Sequence, residues 1–216
     1  MSVKRFLRAA MLALAATLTI PLQAGAADAT ADGQAVAIFA GGCFWCVESD
    51  FDKLAGVKET VSGYTGGTLD KPSYKQVTAG GTGHREAVRI VYDPAQVSYQ
   101  TLLEVFWHSV DPTDAGGQFC DRGHSYTTAI YATDEAQLRQ AQASKAAVEA
   151  SGVLKDPIAT EIVAAGPFFP AEEYHQDFYT KSPVRYRVYR FSCGRDARVE
   201  ELWGADAHKG IKHEGS

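Results

Sequence analysis

The feature that most constrains the fold is the run Ala35-Val36-Ala37-Ile38-Phe39-Ala40, which is stopped by Gly41-Gly42 and followed by Phe44, Val47, Phe51 and Leu54. A short continuous apolar segment closed by glycines reads as a buried strand, and apolar residues three and four apart mark one face of a helix over Phe44 to Leu54. Cys43 then stands at a strand-to-helix junction. Unpaired N–H groups and the helix dipole favour an anion there, which predicts a lowered thiol pKa. Cys46 follows one helical turn later, so the two thiols are expected to be neighbours.

Val57 to Gly63 is strand-like and leads into a glycine-rich loop as far as Pro72. From Arg85 to Tyr92 the chain alternates, placing Glu86 on one face with Val88, Ile90 and Tyr92, so its carboxyl group is expected among apolar side chains. Ser98 can cap a helix that turns Leu102, Leu103, Phe106 and Trp107 inward, and Asp111 to Ser125 reads as irregular. A strand is predicted over Tyr126 to Tyr131, then a helix from Asp134 to about Ala150 ended by Gly152, then a strand over Ile158 to Ala164. The rest of the chain reads as loop and short helix. This order predicts an α+β domain in two layers, a mixed sheet with helices packed on it.

With 216 residues, 45% of them hydrophobic and 22% charged, the chain can bury a core. Lys4, Arg5 and Arg8 precede an apolar run from Ala9 to Ile20 and then Ala24-Gly25-Ala26. That is the organisation of a secretory signal, with an apolar run shorter than the roughly 20 residues of a membrane span. The expected layout is a signal peptide over 1–26, one domain over 27–204 and a flexible tail over 205–216. Cleavage leaves 18 basic against 26 acidic side chains, a net charge of −8, which disfavours nucleic acid as a partner. The mature chain is expected to be exported without stable membrane insertion, and periplasmic if the source is Gram-negative. Export permits disulfides, and Cys43, Cys46, Cys120 and Cys193 allow three pairings.

Read alone, C-x-x-C fits a redox dithiol, half a zinc site or haem attachment. Val47 occupies the haem-attachment histidine position, and no second close pair exists for zinc among the remaining cysteines and the six histidines. Neither metal nor organic cofactor is expected. Glu172 and Glu173 read as a solvated acidic rim.

The motif Gly41-Gly42-Cys43-Phe44-Trp45-Cys46-Val47-Glu48 resembles the signature of the A-type peptide methionine sulfoxide reductases. Similar to that family too are Ser62 to Gly67, Pro72-Ser73-Tyr74, Thr82 to Val88, Asp121-Arg122-Gly123, Tyr126 and Pro167 to Gln176, so that the resemblance covers about residues 35–204. It implies a ferredoxin-like core, thiol-dependent reduction of methionine S-sulfoxide, free or in proteins, and repair of oxidised proteins. Cys43 would be the sulfur nucleophile, passing through a sulfenic acid and a disulfide. Glu86 would be the acid that protonates the sulfoxide oxygen, with Tyr74 and Tyr126 as further donors to it. Phe44 and Trp45 would hold the S-methyl group, and Asp121 would line the site. The implied reductant is thioredoxin-like.

The chain departs from the pattern at its other thiols. Many relatives carry glycine at the position of Cys46 and a small polar residue at that of Cys120, and the segment around Cys193 is unlike their tails. Cys193 is expected to resolve the sulfenic acid, because a Gly-containing C-terminal segment can swing, with Cys46 as the alternative. A structural Cys120–Cys193 bridge would take both out of the cycle. The competing reading is a dithiol oxidoreductase or disulfide isomerase using Cys43 and Cys46, which lacks the proline loop such a site needs. A non-catalytic binding module would leave the tyrosines and the buried acid without a purpose.

Overall fold

The computed structural model describes residues 33–211. The expected signal peptide lies outside them. In chain order the elements are β1 (Ala35–Ala40), α1 (Phe44–Phe51), β2 (Val57–Thr65), α2 (Tyr74–Ala79), β3 (Arg85–Tyr92), α3 (Tyr99–Trp107), β4 (Gly117–Gln118), β5 (Asp121–Arg122), β6 (Ala129–Ala132), α4 (Glu135–Ser151), β7 (Glu161–Ala164), β8 (Phe168–Pro170), α5 (Phe178–Lys181), α6 (Pro183–Cys193) and α7 (Arg195–Trp203). Six strands form one sheet in the order β7-β6-β1-β3-β2-β8, antiparallel throughout except for the parallel β6–β7 pair. The expected α+β class and mixed sheet are both present.

Side-chain alternation on β1 and β3 explains why the two faces of the sheet differ. Phe39, Val88, Ile90 and Tyr92 point into one large apolar cluster with Phe44, Phe51, Leu102, Leu103, Phe106, Ala141 and Val199, so α1, α3, α4 and α7 all cover the same face. The other face carries a smaller cluster of Ile38, Ala40, Ala87, Ala129 and Tyr131. Helices on one side and a thin apolar patch on the other make two layers. The caps match the sequence: Ser98 Oγ accepts the Thr101 N–H at 3.0 Å, Asp134 Oδ1 accepts the Gln137 N–H at 2.7 Å, and Gly152 ends α4 at φ 65.

Several expectations are corrected. The strand expected from Tyr126 begins at Ala129, because His124–Tyr126 forms a 3₁₀ turn closed by the Thr127 N–H to the His124 carbonyl. The stretch after β7 holds two full helices, α6 and α7, in addition to short ones. The expected tail from 205 onward is packed as far as Ile211, which is 7% exposed in the main cluster, and the His208 N–H bonds the His108 carbonyl at 2.8 Å.

Candidate active site

The site is assembled where β1 passes into α1. Gly42 has φ 84, and a Cβ on it would lie 2.5 Å from Gln118 Cβ, so the turn against the 111–122 loop admits only glycine. Cys43 is the N-cap of α1, and its carbonyl accepts the Cys46 N–H at 3.1 Å. The N–H of Phe44 is donated to Glu86 Oε2 at 3.0 Å. This bond ties the acid on β3 to the first turn of the helix that carries the thiol.

Glu86 is 1% exposed, and burial pushes its carboxyl group up to about 8 against the Phe44 N–H, with Asp121 and Cys46 pushing the same way. The neighbouring arginines do not neutralise it: Arg85 bonds Glu161, Thr127 and Tyr131, and Arg89 bonds Glu59. Glu86 is therefore a proton-bearing acid at neutral pH. Tyr74, the first residue of α2, and Tyr126, ahead of β6, have hydrogen-bonded hydroxyls that both lie in the field of Glu86. Burial raises both, so they remain O–H donors. Glu172 is no solvated rim residue: its carboxylate accepts the Tyr74 N–H and the Tyr64 hydroxyl, each at 2.9 Å, and so fixes α2 against β2.

The two aromatic positions differ. Phe44 is 1% exposed, and its ring packs among Tyr64, Tyr74 and His175, which makes it part of the core beside the site. Trp45 is half-buried and stacks on Phe178 with 3.8 Å between ring centroids, and its Nε1–H donates to His175 Nδ1 at 3.1 Å. That bond requires a neutral His175 with its proton on Nε2, in line with the lowering of its pKa by burial.

The thiol pair corrects one sequence expectation. Cys43 and Cys46 are buried, free and hydrogen-bonded to each other. Cys43 is raised rather than lowered, first by burial and then by the thiol and the charge of Cys46, which outweigh the helix terminus. Cys46 is brought down to about 7, first by the hydrogen bond from Cys43 and then, against the cost of burial, by Arg195 and Arg190. Burial thus disfavours a negative charge on Cys43, whereas Arg195 and Arg190 favour one on Cys46.

Cys193, at the end of α6, is bonded to Cys120. Among the described residues the one group of side chains close enough to share a metal ion is Cys120, Asp121 and Cys193, and its two sulfurs are joined to each other. Asp121 accepts the Tyr189 hydroxyl, and Tyr189 also hydrogen-bonds Cys43. Arg195, 2% exposed, donates to the carbonyls of Gly41 at 2.6 Å and Ser109 at 2.9 Å and lies 4.6 Å from the centroid of the Phe119 ring. Sequence reasoning missed Tyr189 and Arg195, because both lie in the segment read as loop and short helix. The signal was there in Arg195, Val199 and Trp203, which recur every fourth residue.

Sequence reasoning also missed an acid, Glu48 on α1, which is fully buried and pushed up to about 8 by burial. A carboxyl group whose pKa is raised on folding binds its proton more tightly in the native state, so its contribution to stability is complete below the unfolded value of 4.5 and is lost as pH rises through about 8. Stability is expected to fall across that window with a slope approaching about 1.4 kcal/mol per pH unit for each such acid. Urea unfolding midpoints should show Glu48→Gln flattening that slope; an unchanged slope would assign Glu48 no part in it.

Residues 35–207 match the family model described as Peptide methionine sulfoxide reductase. A peptide methionine sulfoxide reductase MsrA of Bacillus licheniformis is 51% identical over 81% of this chain and 96% of its own length. An MsrA 2 of Rhizobium meliloti is 54% identical over 82% and 87%. In structure the chain is similar to Mxr1 of Saccharomyces cerevisiae in reduced form, with a TM-score of 0.67 and 28% identity over 71% of this chain and 88% of that one. On the family match and the curated relatives, the chain belongs to the peptide methionine sulfoxide reductases of the A type.

Proposed function

We propose that this protein reduces the S epimer of methionine sulfoxide, in peptides or free, to methionine, and thereby repairs oxidised proteins. The observation that carries the reading is a buried thiol, Cys43, one residue from the backbone N–H that holds the protonated carboxyl group of Glu86. A sulfoxide oxygen leaves only once protonated, so acid and nucleophile must meet the same S=O group. Glu86 gives the proton, Tyr74 and Tyr126 donate hydrogen bonds to the oxygen, and Trp45, Phe44 and Asp121 shape the space for the methyl group. Cys43 passes its proton to Cys46 and attacks the sulfur, leaving methionine and a Cys43 sulfenic acid. The ferredoxin-like core is our reading of the four central strands, ordered β6-β1-β3-β2 with α1 and α3 as crossovers. An exported location and a thioredoxin-like dithiol reductant complete it.

For the resolving thiol the proposal departs from the sequence expectation. Cys193 is bonded to Cys120, whereas Cys46 is a free thiol in contact with Cys43. Cys46 therefore condenses with the sulfenic acid, releasing water and forming a Cys43–Cys46 disulfide that the external dithiol reduces. One sulfoxide equivalent added to protein that keeps its Cys120–Cys193 bond should give a Cys43–Cys46 linkage by peptide mass mapping. Cys46→Ser should still release one methionine but lose at least about tenfold in thioredoxin-driven turnover. A Cys43–Cys193 linkage would return the resolving role to Cys193. Reduction of neither sulfoxide epimer by the purified chain with dithiothreitol would overturn the function itself.

A further inference from the structure

Tyr189 and Cys193 are four residues apart on α6 and so share one face. That face is fastened twice to one short segment: Cys193 by its disulfide to Cys120, and Tyr189 by a hydroxyl donated to Asp121. The same hydroxyl meets Cys43, and the Tyr189 ring stands edge-on to Trp45 with centroids 5.7 Å apart. A phenol has one proton to donate, and here two acceptors compete for it.

We propose that Tyr189 is a switchable hydrogen-bond donor that stabilises negative charge on the Cys43 sulfur, and that the Cys120–Cys193 bridge is the clamp that holds it in place. While Cys43 is a thiol, its one proton points to Cys46 and Tyr189 donates to Asp121. Once the Cys43 proton has passed to Cys46, the hydroxyl rotates and donates to the thiolate. No electrons move in this step. Burial keeps the Tyr189 hydroxyl protonated far beyond neutral pH, so it is a donor at every working pH.

The clamp matters because α6 has little else to hold it. Tyr186 is its one buried side chain, while Val184, Val188 and Phe191 are 65%, 62% and 87% exposed. The ion pairs of Arg190 with Asp50 and Asp196 anchor the helix on the side of α1 and α7 and leave the Asp121 side to the disulfide.

The inference rests on the proposed role of Cys43, but its test needs no sulfoxide. The groups that face Cys43 are Cys46 from α1, Tyr74 from α2, Glu86 from β3 and Tyr189 from α6. In a Cys46→Ser background with the bridge intact, Cys43 is the one free thiol, so ultraviolet thiolate absorbance and the pH dependence of iodoacetamide alkylation both report it alone. Tyr189→Phe, which keeps the ring, should move that titration up by about one pH unit, the size of a lost hydrogen bond to a charged group. It should also slow single-turnover sulfoxide reduction about tenfold or more without a matching rise in KM. Joint Cys120→Ser and Cys193→Ser, which adds no thiol, should move the titration the same way by a smaller step and add nothing to Tyr189→Phe. An unchanged titration in Tyr189→Phe would overturn the donor role, and a clamp effect additive with Tyr189→Phe would overturn the clamp. If sulfoxide reduction fails while both titrations shift, the proposed function falls and this inference stands.

Discussion

Cys43→Ser is expected to abolish methionine sulfoxide reduction, with a loss of more than about a thousandfold in single turnover, on the scale of covalent catalysis. The serine hydroxyl fits the space, but at that depth nothing can ionise it. Cys43 gives up its proton the more readily because Cys46, itself brought down to about 7, lies against it as an acceptor. A thiol has a pKa within reach of that partner and a serine hydroxyl does not. Nor can Cys46 take over the attack. It is 1% exposed and packed with Phe178 and Tyr186, which leave its sulfur no room for a sulfoxide. Rapid-quench measurement of methionine released per enzyme, without reductant, checks this directly. Substantial release by Cys43→Ser would move the nucleophile to another sulfur.

The order of the central sheet elements was legible because each carries a local signal that tertiary packing did not override. The alternation from Arg85 to Tyr92 coincides with β3 residue for residue, and it placed Glu86 on the buried face before any partner was known. Ser98, Asp134 and Gly152 marked helix ends by capping chemistry that depends on nothing distant. The helix α6 was illegible for the opposite reason. Val184-Arg185-Tyr186-Arg187-Val188 alternates like a strand, its apolar residues at 184, 188 and 191 face out, and Tyr186 alone is buried. Its position is set by the disulfide, by the Arg190 ion pairs and by Tyr189 on Asp121, all of them contacts more than sixty residues apart in sequence, apart from that of Arg190 with Asp196.

The site divides along the same line. Cys43 and Glu86 were found because a junction and a strand face are local features. The charge state of Cys43 was not, because the dipole argument counts only the helix that carries the thiol. Burial and a second thiol outweigh that one terminus. The two arginines that pull Cys46 down come from α6 and α7, which the pattern could not place.

Glu86→Gln is expected to slow the reduction step by about 10²–10⁴-fold, the range of a general acid. The amide keeps the shape and can still accept the Phe44 N–H that Glu86 Oε2 accepts, so the first turn of α1 should stay in register. What is lost is the proton. With a pKa of about 8, Glu86 is protonated and competent below that value, so the wild-type single-turnover rate should decline as pH rises past it. The acidic side is limited instead by the thiol pair, whose single charge is lost as pH falls below about 7. Wild type should therefore show an optimum between these two values, and Glu86→Gln should lose the decline at high pH while keeping the one at low pH. Tyr74→Phe and Tyr126→Phe should each cost less, because a neutral hydroxyl orients the oxygen without delivering a full proton to it. Single-turnover rates measured across pH for wild type and the three variants decide the matter. A Glu86→Gln variant that keeps the high-pH decline would make one of the tyrosines the acid and leave Glu86 as the residue that holds α1 to β3.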